Sequence, residues 1–282
     1  MVRISIAASL LAFAASALAL STERDAPTTL CGATQTIAAE DEAAVQRQIS
    51  NMRSQRSAGS TALRAGTVPV AVHIITCNGR GDISDSRIQQ QIGILNSDMG
   101  NTGYSFSLSS IDRTANCDWF NGVNQGTTQE RQMKSALRRG GASTLNFYTV
   151  EFTGGLVGYA TFPSSYRSNP TNDGVVNHFE SVVGGSLSPY NLGTILTHEV
   201  GHWVGLYHVF QGGCSGSGDL VSDTPPQSTI SRGCPVGQDS CSGGGVDSVR
   251  NHMDYSQDSC RNQLTAGQIE RLQAQMSLYR GI

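Results

Sequence analysis

The eleven residues His198 to His208 read HEVGHWVGLYH, and they constrain this chain more than any other stretch. His198 and His202 are four residues apart, so on an α-helix they lie on one face, one turn apart. Neutral imidazoles at that spacing can grip one Zn²⁺. Glu199 directly follows the first of them, where it can take a proton from water at such a metal. His208 comes six residues after His202. If the helix ran on, His208 would lie roughly 9 Å further along the axis, out of reach of a bond of about 2 Å. The helix must therefore stop between them. Gly205 can end it, because a residue without Cβ accepts a positive φ without a clash. The whole stretch fits H-E-x-x-H-x-x-G-x-x-H, a zinc-binding helix followed by a turn and a third ligand.

The rest of the composition narrows the class. A net charge of −3 with 15% charged residues leaves no basic surplus for nucleic acid. The N-terminus, MVRISIAASLLAFAASALA, has Arg3, an apolar run from Ile4 to Leu18 and the small-x-small triplet Ala17-Leu18-Ala19. That pattern predicts a secretory signal over 1–19, cleaved near Ala19. The run is too short for a good membrane anchor, so the expectation is a secreted protein with no membrane or nucleic-acid partner. Secretion places the seven cysteines in an oxidising compartment as disulfide formers, with one left over.

Residues 20–66 are polar and alanine-rich, with a predicted helix over Ala38 to Arg56, acidic at its start and basic toward its end. Small, flexible residues follow from Ser57 to Gly66, as in a processing linker. We read 20–66 as a removable pro-segment and 67–282 as the catalytic domain. Cys31 carries that reading. A lone thiolate could bind the catalytic zinc and keep the site silent until an activating protease cuts the segment away.

The core begins with Val68 to Ile75, a β-branched run that reads as a buried strand, with His73 a core residue. A helix over Ile83 to Ser97, a strand around Tyr104, Phe106 and Leu108, a helix over Thr128 to Arg138 and a strand over Leu145 to Val150 follow. This βαβ rhythm implies parallel strands. Gly154 to Ala160 suits an edge strand, the kind that holds an extended peptide by main-chain hydrogen bonds; a plain surface hairpin is the other reading. Asp173 to Val183 reads as another strand, with His178 structural, and the zinc helix spans about Leu192 to Val204.

After His208 the chain is loop-rich and poor in apolar residues, so disulfides must supply what packing does not. Asp219, Asp223 and Thr224 offer oxygen ligands that could hold a structural Ca²⁺. Asn251-His252-Met253-Asp254-Tyr255 places a methionine in a turn, where it can pack beneath the metal ligands. Tyr255 can present its hydroxyl to the site, either to cap the metal or to stabilise an oxyanion. Thr265-Ala266-Gly267-Gln268 is a capping box opening a last helix to about Tyr279.

The zinc motif with Met253 resembles the metzincin clan of zinc endopeptidases. HEVGHWVGLYHVFQGGC, DTPPQ (Asp223 to Gln227) and NHMDYSQDSC (Asn251 to Cys260) are more similar still to the pappalysin family, and Cys31-Gly32 resembles the pro-segment cysteine of such enzymes. The resemblance covers roughly Val68 to the C-terminus. It implies an α+β, two-lobed zincin: a mixed twisted sheet with the active-site helix above, and a loop-rich, disulfide-stabilised lower lobe. It implies crossed disulfides Cys214–Cys241 and Cys234–Cys260, which leave Cys77 with Cys117, and calcium in the lower lobe. The expected function is a monomeric secreted zinc endopeptidase acting on proteins or peptides, with Glu199 as general base. A catalytically silent binding protein or effector on the same scaffold is the alternative.

Overall fold

Val68 to Ile75 carries apolar, mostly β-branched side chains toward both faces, which suits a strand covered on both sides. In the computed structural model, which describes residues 29–32, 37–57 and 65–282, these residues form the middle of a long strand in a six-stranded sheet. The signal segment and most of the linker expected over 57–66 lie outside the described residues. In chain order the elements are β1 (Thr29–Cys31), α1 (Ala39–Ser57), β2 (Gly66–Thr76), α2 (Asp85–Asp98), β3 (Tyr104–Ala115), α3 (Cys117–Gly122), α4 (Thr128–Leu137) and β4 (Leu145–Val150). Then come β5 (Leu156–Ala160), β6 (Val175–His178), α5 (Thr194–Trp203) and α6 (Ala266–Gln275), which ends in a π turn over Met276–Arg280. No helix among the described residues is long and apolar enough to cross a membrane.

The sheet order is β1-β5-β6-β4-β2-β3. Four of its five pairings are parallel, and β5 runs antiparallel to β6. The sheet is therefore mixed, as the resemblance implied: the strands of the βαβ rhythm, β2, β3 and β4, run parallel, and β5 is the antiparallel member. The chain between Ala160 and Val175 holds only two short 3₁₀ turns, Pro163–Tyr166 and Pro170–Asn172. A connection without a full crossover helix brings the chain back antiparallel. The strand expected over Asp173 to Val183 is also shorter. It ends at His178, whose Nδ1 accepts from the Glu180 amide at 3.1 Å and turns the chain into a 3₁₀ turn.

Each face of the sheet has its own core. On one face Val68, Val70, Val72 and Ile74 of β2 pack with Ile88, Ile92 and Leu95 of α2 and with Leu196, Val200 and Trp203 of α5. On the other, Ile75, Tyr148, Val150 and Val176 meet Phe120 of α3 and Met133 of α4. The two-residue alternation of strand side chains sends neighbours to opposite cores. His73 is buried between Asp112, on its Nδ1 at 2.9 Å, and Asn146, on its Nε2 at 3.0 Å, and so belongs to the sheet. Lys134, the only lysine in the chain, is fully buried on Glu130 at 2.7 Å.

The lower half, from Gly205 to Leu264, contains no helix or strand. Two interleaved disulfides, Cys214–Cys241 and Cys234–Cys260, tie it together, and a third, Cys77–Cys117, joins the end of β2 to the start of α3. Buried polar groups do the rest. Asp254 accepts from the Ser231 and Tyr255 amides through Oδ1 and from Gln227 through Oδ2. Asp247 accepts from Gln238 and from the amide and hydroxyl of Ser240. Each bond compensates the desolvation that an unpaired buried acid would suffer.

Candidate active site

The zinc-motif helix begins late and stops early because glycines bound it. Gly193, at φ 96°, precedes its first residue, and Gly205, at φ 102°, follows its end. At that end Gly205 N donates to His202 O at 2.9 Å, and Leu206 N donates to Gly201 O at 2.8 Å. A left-handed residue there satisfies the last carbonyls and turns the chain sharply. The turn also needs a residue without a side chain, since a Cβ on Gly205 would lie 2.4 Å from Gln275 Cδ.

The turn brings three imidazoles together. His208 Nε2 lies 3.2 Å from His198 Nε2 and 3.1 Å from His202 Nε2. The outer nitrogens of the two helical rings face carbonyls, His198 Nδ1 on His252 O at 2.7 Å and His202 Nδ1 on Leu206 O at 2.8 Å. A carbonyl can only accept, so both Nδ1 atoms carry protons and both Nε2 atoms of the neutral rings turn lone pairs inward. Burial pushes His202 down to about 4 and His198 and His208 well below the usual histidine range, which keeps all three neutral. Donors about 2.0–2.1 Å from a tetrahedral Zn²⁺ stand roughly 3.3 Å apart. The donor set, its spacing and its carbonyl-held tautomers therefore fit zinc.

Cys31 completes the cluster. Its Sγ and one nitrogen from each histidine all lie within 4.8 Å of one another, and all four residues are buried. The backbone brings it there: β1 adds to β5 in parallel, with Cys31 opposite Gly158, and Gly32 N donates to Gly158 O at 3.0 Å. The β5 edge read as exposed in the sequence is thus covered by the N-terminal segment.

Cys31 Sγ donates to Glu199 Oε2 at 3.3 Å, while Glu199 Oε1 is buried with no hydrogen-bond partner. Burial pushes the Glu199 carboxyl up to about 8, against the opposing pull of the Cys31 hydrogen bond and the Arg261 charge. Gly158 makes room for it, since a Cβ there would stand 2.8 Å from Glu199 Oε1. Tyr255 donates its hydroxyl to Cys31 O at 3.1 Å, and its ring meets those of His198 and His208 at 5.7 and 5.0 Å.

Met253 lies fully buried under the helix, where a Cβ on Gly201 would come within 2.2 Å of its sulfur. Its turn is locked from below. Asn251 accepts from the Met253 amide, and Asn251 and Gln268 exchange a pair of amide hydrogen bonds at 2.8 and 3.1 Å. Gln268 is also the third helical residue of α6, the one that closes its capping box on Thr265. The Asn251–Gln268 pairing and the room made by Gly158 and Gly201 are not written in any local spacing, although glycines inside a helix and a strand are signals of close approach.

The candidate calcium ligands separate. Asp223 accepts from Thr265 Oγ1 at 2.7 Å and Gly267 N at 2.8 Å and so caps α6. Asp219 accepts from Thr224 Oγ1 at 2.7 Å, while its Oδ2 is buried without a hydrogen-bond partner and burial pushes its carboxyl up to about 6. It lines a cavity of about 220 Å³ with Ser215, Ser217 and Thr224.

An alanine at Gly201 tests the fit beneath the metal ligands. Overpacking of this kind costs about 1–3 kcal/mol. Gly201→Ala is expected to lower the melting temperature and weaken zinc retention in equilibrium dialysis; an unchanged zinc affinity would show that Met253 does not support the ligands.

Comparison with known proteins agrees with this geometry. The M43 peptidase family model, described as Pregnancy-associated plasma protein-A, matches residues 149–277. Extracellular metalloprotease 1 of Coccidioides posadasii is 49% identical over 203 residues, 71% of this chain and 72% of that protein. Mature mirolysin of Tannerella forsythia, solved with a cleaved peptide, superposes with a TM-score of 0.63 at 29% identity, covering 77% of this chain and 97% of its own. A promirolysin mutant reaches a TM-score of 0.67 at 28% identity and covers 89% of this chain and 95% of its own. A buried three-histidine cluster on a mixed-sheet scaffold, with relatives of this kind, places the chain in the pappalysin family of metzincins, as a zinc-dependent metalloendopeptidase.

Proposed function

We propose that His198, His202 and His208 hold the catalytic zinc, that Glu199 is the general base, and that Cys31 keeps the enzyme latent until residues 20–66 are removed. The observation that carries this is the single buried cluster of three imidazoles and one thiol, with Glu199 on the thiol. Zinc held there supplies Lewis-acid polarisation of the scissile carbonyl and acidifies a neighbouring water.

The chain's own groups do the remaining work. Glu199, with one carboxylate oxygen lacking a partner, accepts a proton from the attacking water and passes it to the leaving amine. Tyr255 gives its hydroxyl hydrogen bond to Cys31 in the latent form. With that segment gone, the hydroxyl is available to the oxyanion of the tetrahedral intermediate. The same departure frees β5, which then takes an extended protein or peptide substrate by main-chain hydrogen bonds. Secretion follows from the signal-like N-terminus and agrees with the extracellular naming of the relatives. Met253 supports the ligands from below.

Glu199→Gln keeps the shape and removes the base. It is expected to retain zinc, measured by atomic absorption, and to lose peptidase activity by roughly 10²–10⁴-fold. Casein cleavage at the wild-type rate would end this assignment.

Calcium fits at Asp219 and not at Asp223. Asp219 has a buried carboxylate oxygen without a partner beside a cavity lined with serine and threonine, whereas Asp223 is committed to the start of α6. Hard cations of this size take carboxylate, hydroxyl and carbonyl oxygens. Adding calcium is expected to raise the melting temperature of the wild type but not of Asp219→Asn. Equal shifts in both would place the ion elsewhere.

A further inference from the structure

The N-terminal segment touches the body at two separate places. One is the cleft, where β1 and Cys31 lie. The other is the outer face of α6, where α1 docks, and nothing in the catalytic reading uses it. The contact there is built on charge as well as apolar packing. Val45, Ile49 and Met52 of α1 bury against Ala274, with Leu278 and Tyr279 beside them. Near the start of α1, Glu42 grips Arg271 with both carboxylate oxygens, at 2.8 and 2.7 Å. The Arg271 side chain is only 1% exposed, so it is a desolvated partner. Near the end of α1 the signs reverse, and Arg53 holds Glu270 at 2.7 Å. The face of α6 therefore reads the direction of the helix laid on it: acid toward Arg271, base toward Glu270.

We propose that this face of α6 is a helix-binding surface in its own right, and that it retains the N-terminal segment after the chain is cut between α1 and β2. The proposal rests on the reading of residues 20–66 as a pro-segment. Most of a helix's stability in a protein comes from packing of its apolar face rather than from propensity, and the apolar face of α1 (Val45, Ile49, Met52) is buried on α6. Seven residues separate Cys31 from Ala39, the start of α1. A segment anchored at α1 therefore keeps its thiol at high effective concentration over the histidines, without a covalent link to the body. Cutting the linker is then not enough to activate the enzyme. Activation requires that α1 be cut or displaced as well. Arg271 also donates through Nε to Gly205 O at 3.1 Å, so the docking surface abuts the turn that delivers His208.

The test is a full-length chain with a site-specific protease sequence placed between residues 58 and 64, cut to completion and followed by native mass spectrometry over a dilution series. The segment is expected to stay with the body in the wild type and in Cys31→Ser alike. Glu42→Gln is expected to weaken retention by roughly 30-fold or more, the usual result of removing one member of a desolvated charge pair. Arg53→Ala, at the exposed end, should weaken it less. The elution volume of each uncut chain checks that it is folded. Loss of the segment from the cut wild type would overturn the proposal. So would retention in the wild type together with loss in Cys31→Ser, because the thiol would then be the anchor. Retention is read by mass and not by activity. An uncut Cys31→Ser chain that stays silent would sink the thiol reading and leave the docking surface standing.

Discussion

Three imidazole nitrogens from two sides of a helix end must meet within bonding reach of one ion, and the rest of the molecule is arranged around that demand. Two come with the helix, because four residues make one turn. The third requires the helix to break within a few residues and reverse. Gly205 at φ 102° does this, and its carbonyl is held by Arg271 Nε and Gln275 Nε2 from α6. Arg280, from the π turn, donates to Trp203 O at the same helix end and stacks over the Trp203 ring. Three buried side chains from one C-terminal element thus satisfy carbonyls that a truncated helix leaves open. The C-terminal segment works as the clamp on the metal helix.

The same economy links the site to the latency proposed for it. Cys31, Glu199 and Tyr255 form one chain of hydrogen bonds, thiol to carboxylate and phenol to the cysteine carbonyl. A single strand addition at β5 places all of it. One segment therefore covers the β5 edge, sits on the proposed base and engages the hydroxyl proposed as the oxyanion donor. Under the proposed latency, removing it changes three things at once, which favours a switch with two clear states over a graded one.

Much of the site was legible in the sequence because local geometry dictated it. The four-residue spacing of His198 and His202, the glycine that had to break the helix and the capping box at Thr265 each need only near neighbours, and all three are found where the spacing put them. The parts that were not legible depend on contacts distant in sequence. The antiparallel β5 follows from a connection whose path is set by packing, not periodicity. α3 is six residues long and starts on an Asn116 cap, too short to show a helical pattern. Asp223 looked like a metal ligand beside Asp219, but it turns toward α6, more than 40 residues away. The Asn251–Gln268 lock and the Arg271 clamp are of the same kind, since each joins parts of the chain that no local spacing relates.

Latency through Cys31 stands or falls with the donors around the metal in the intact chain. X-ray absorption at the zinc edge reads them directly. For the intact chain loaded with one zinc, three nitrogen neighbours at about 2.0–2.1 Å and one sulfur at about 2.3 Å are expected. After removal of the N-terminal segment the sulfur should vanish and a light atom should replace it. A first shell of light atoms only in the intact chain, or a sulfur that persists once Cys31 has been removed with its segment, would contradict latency through Cys31.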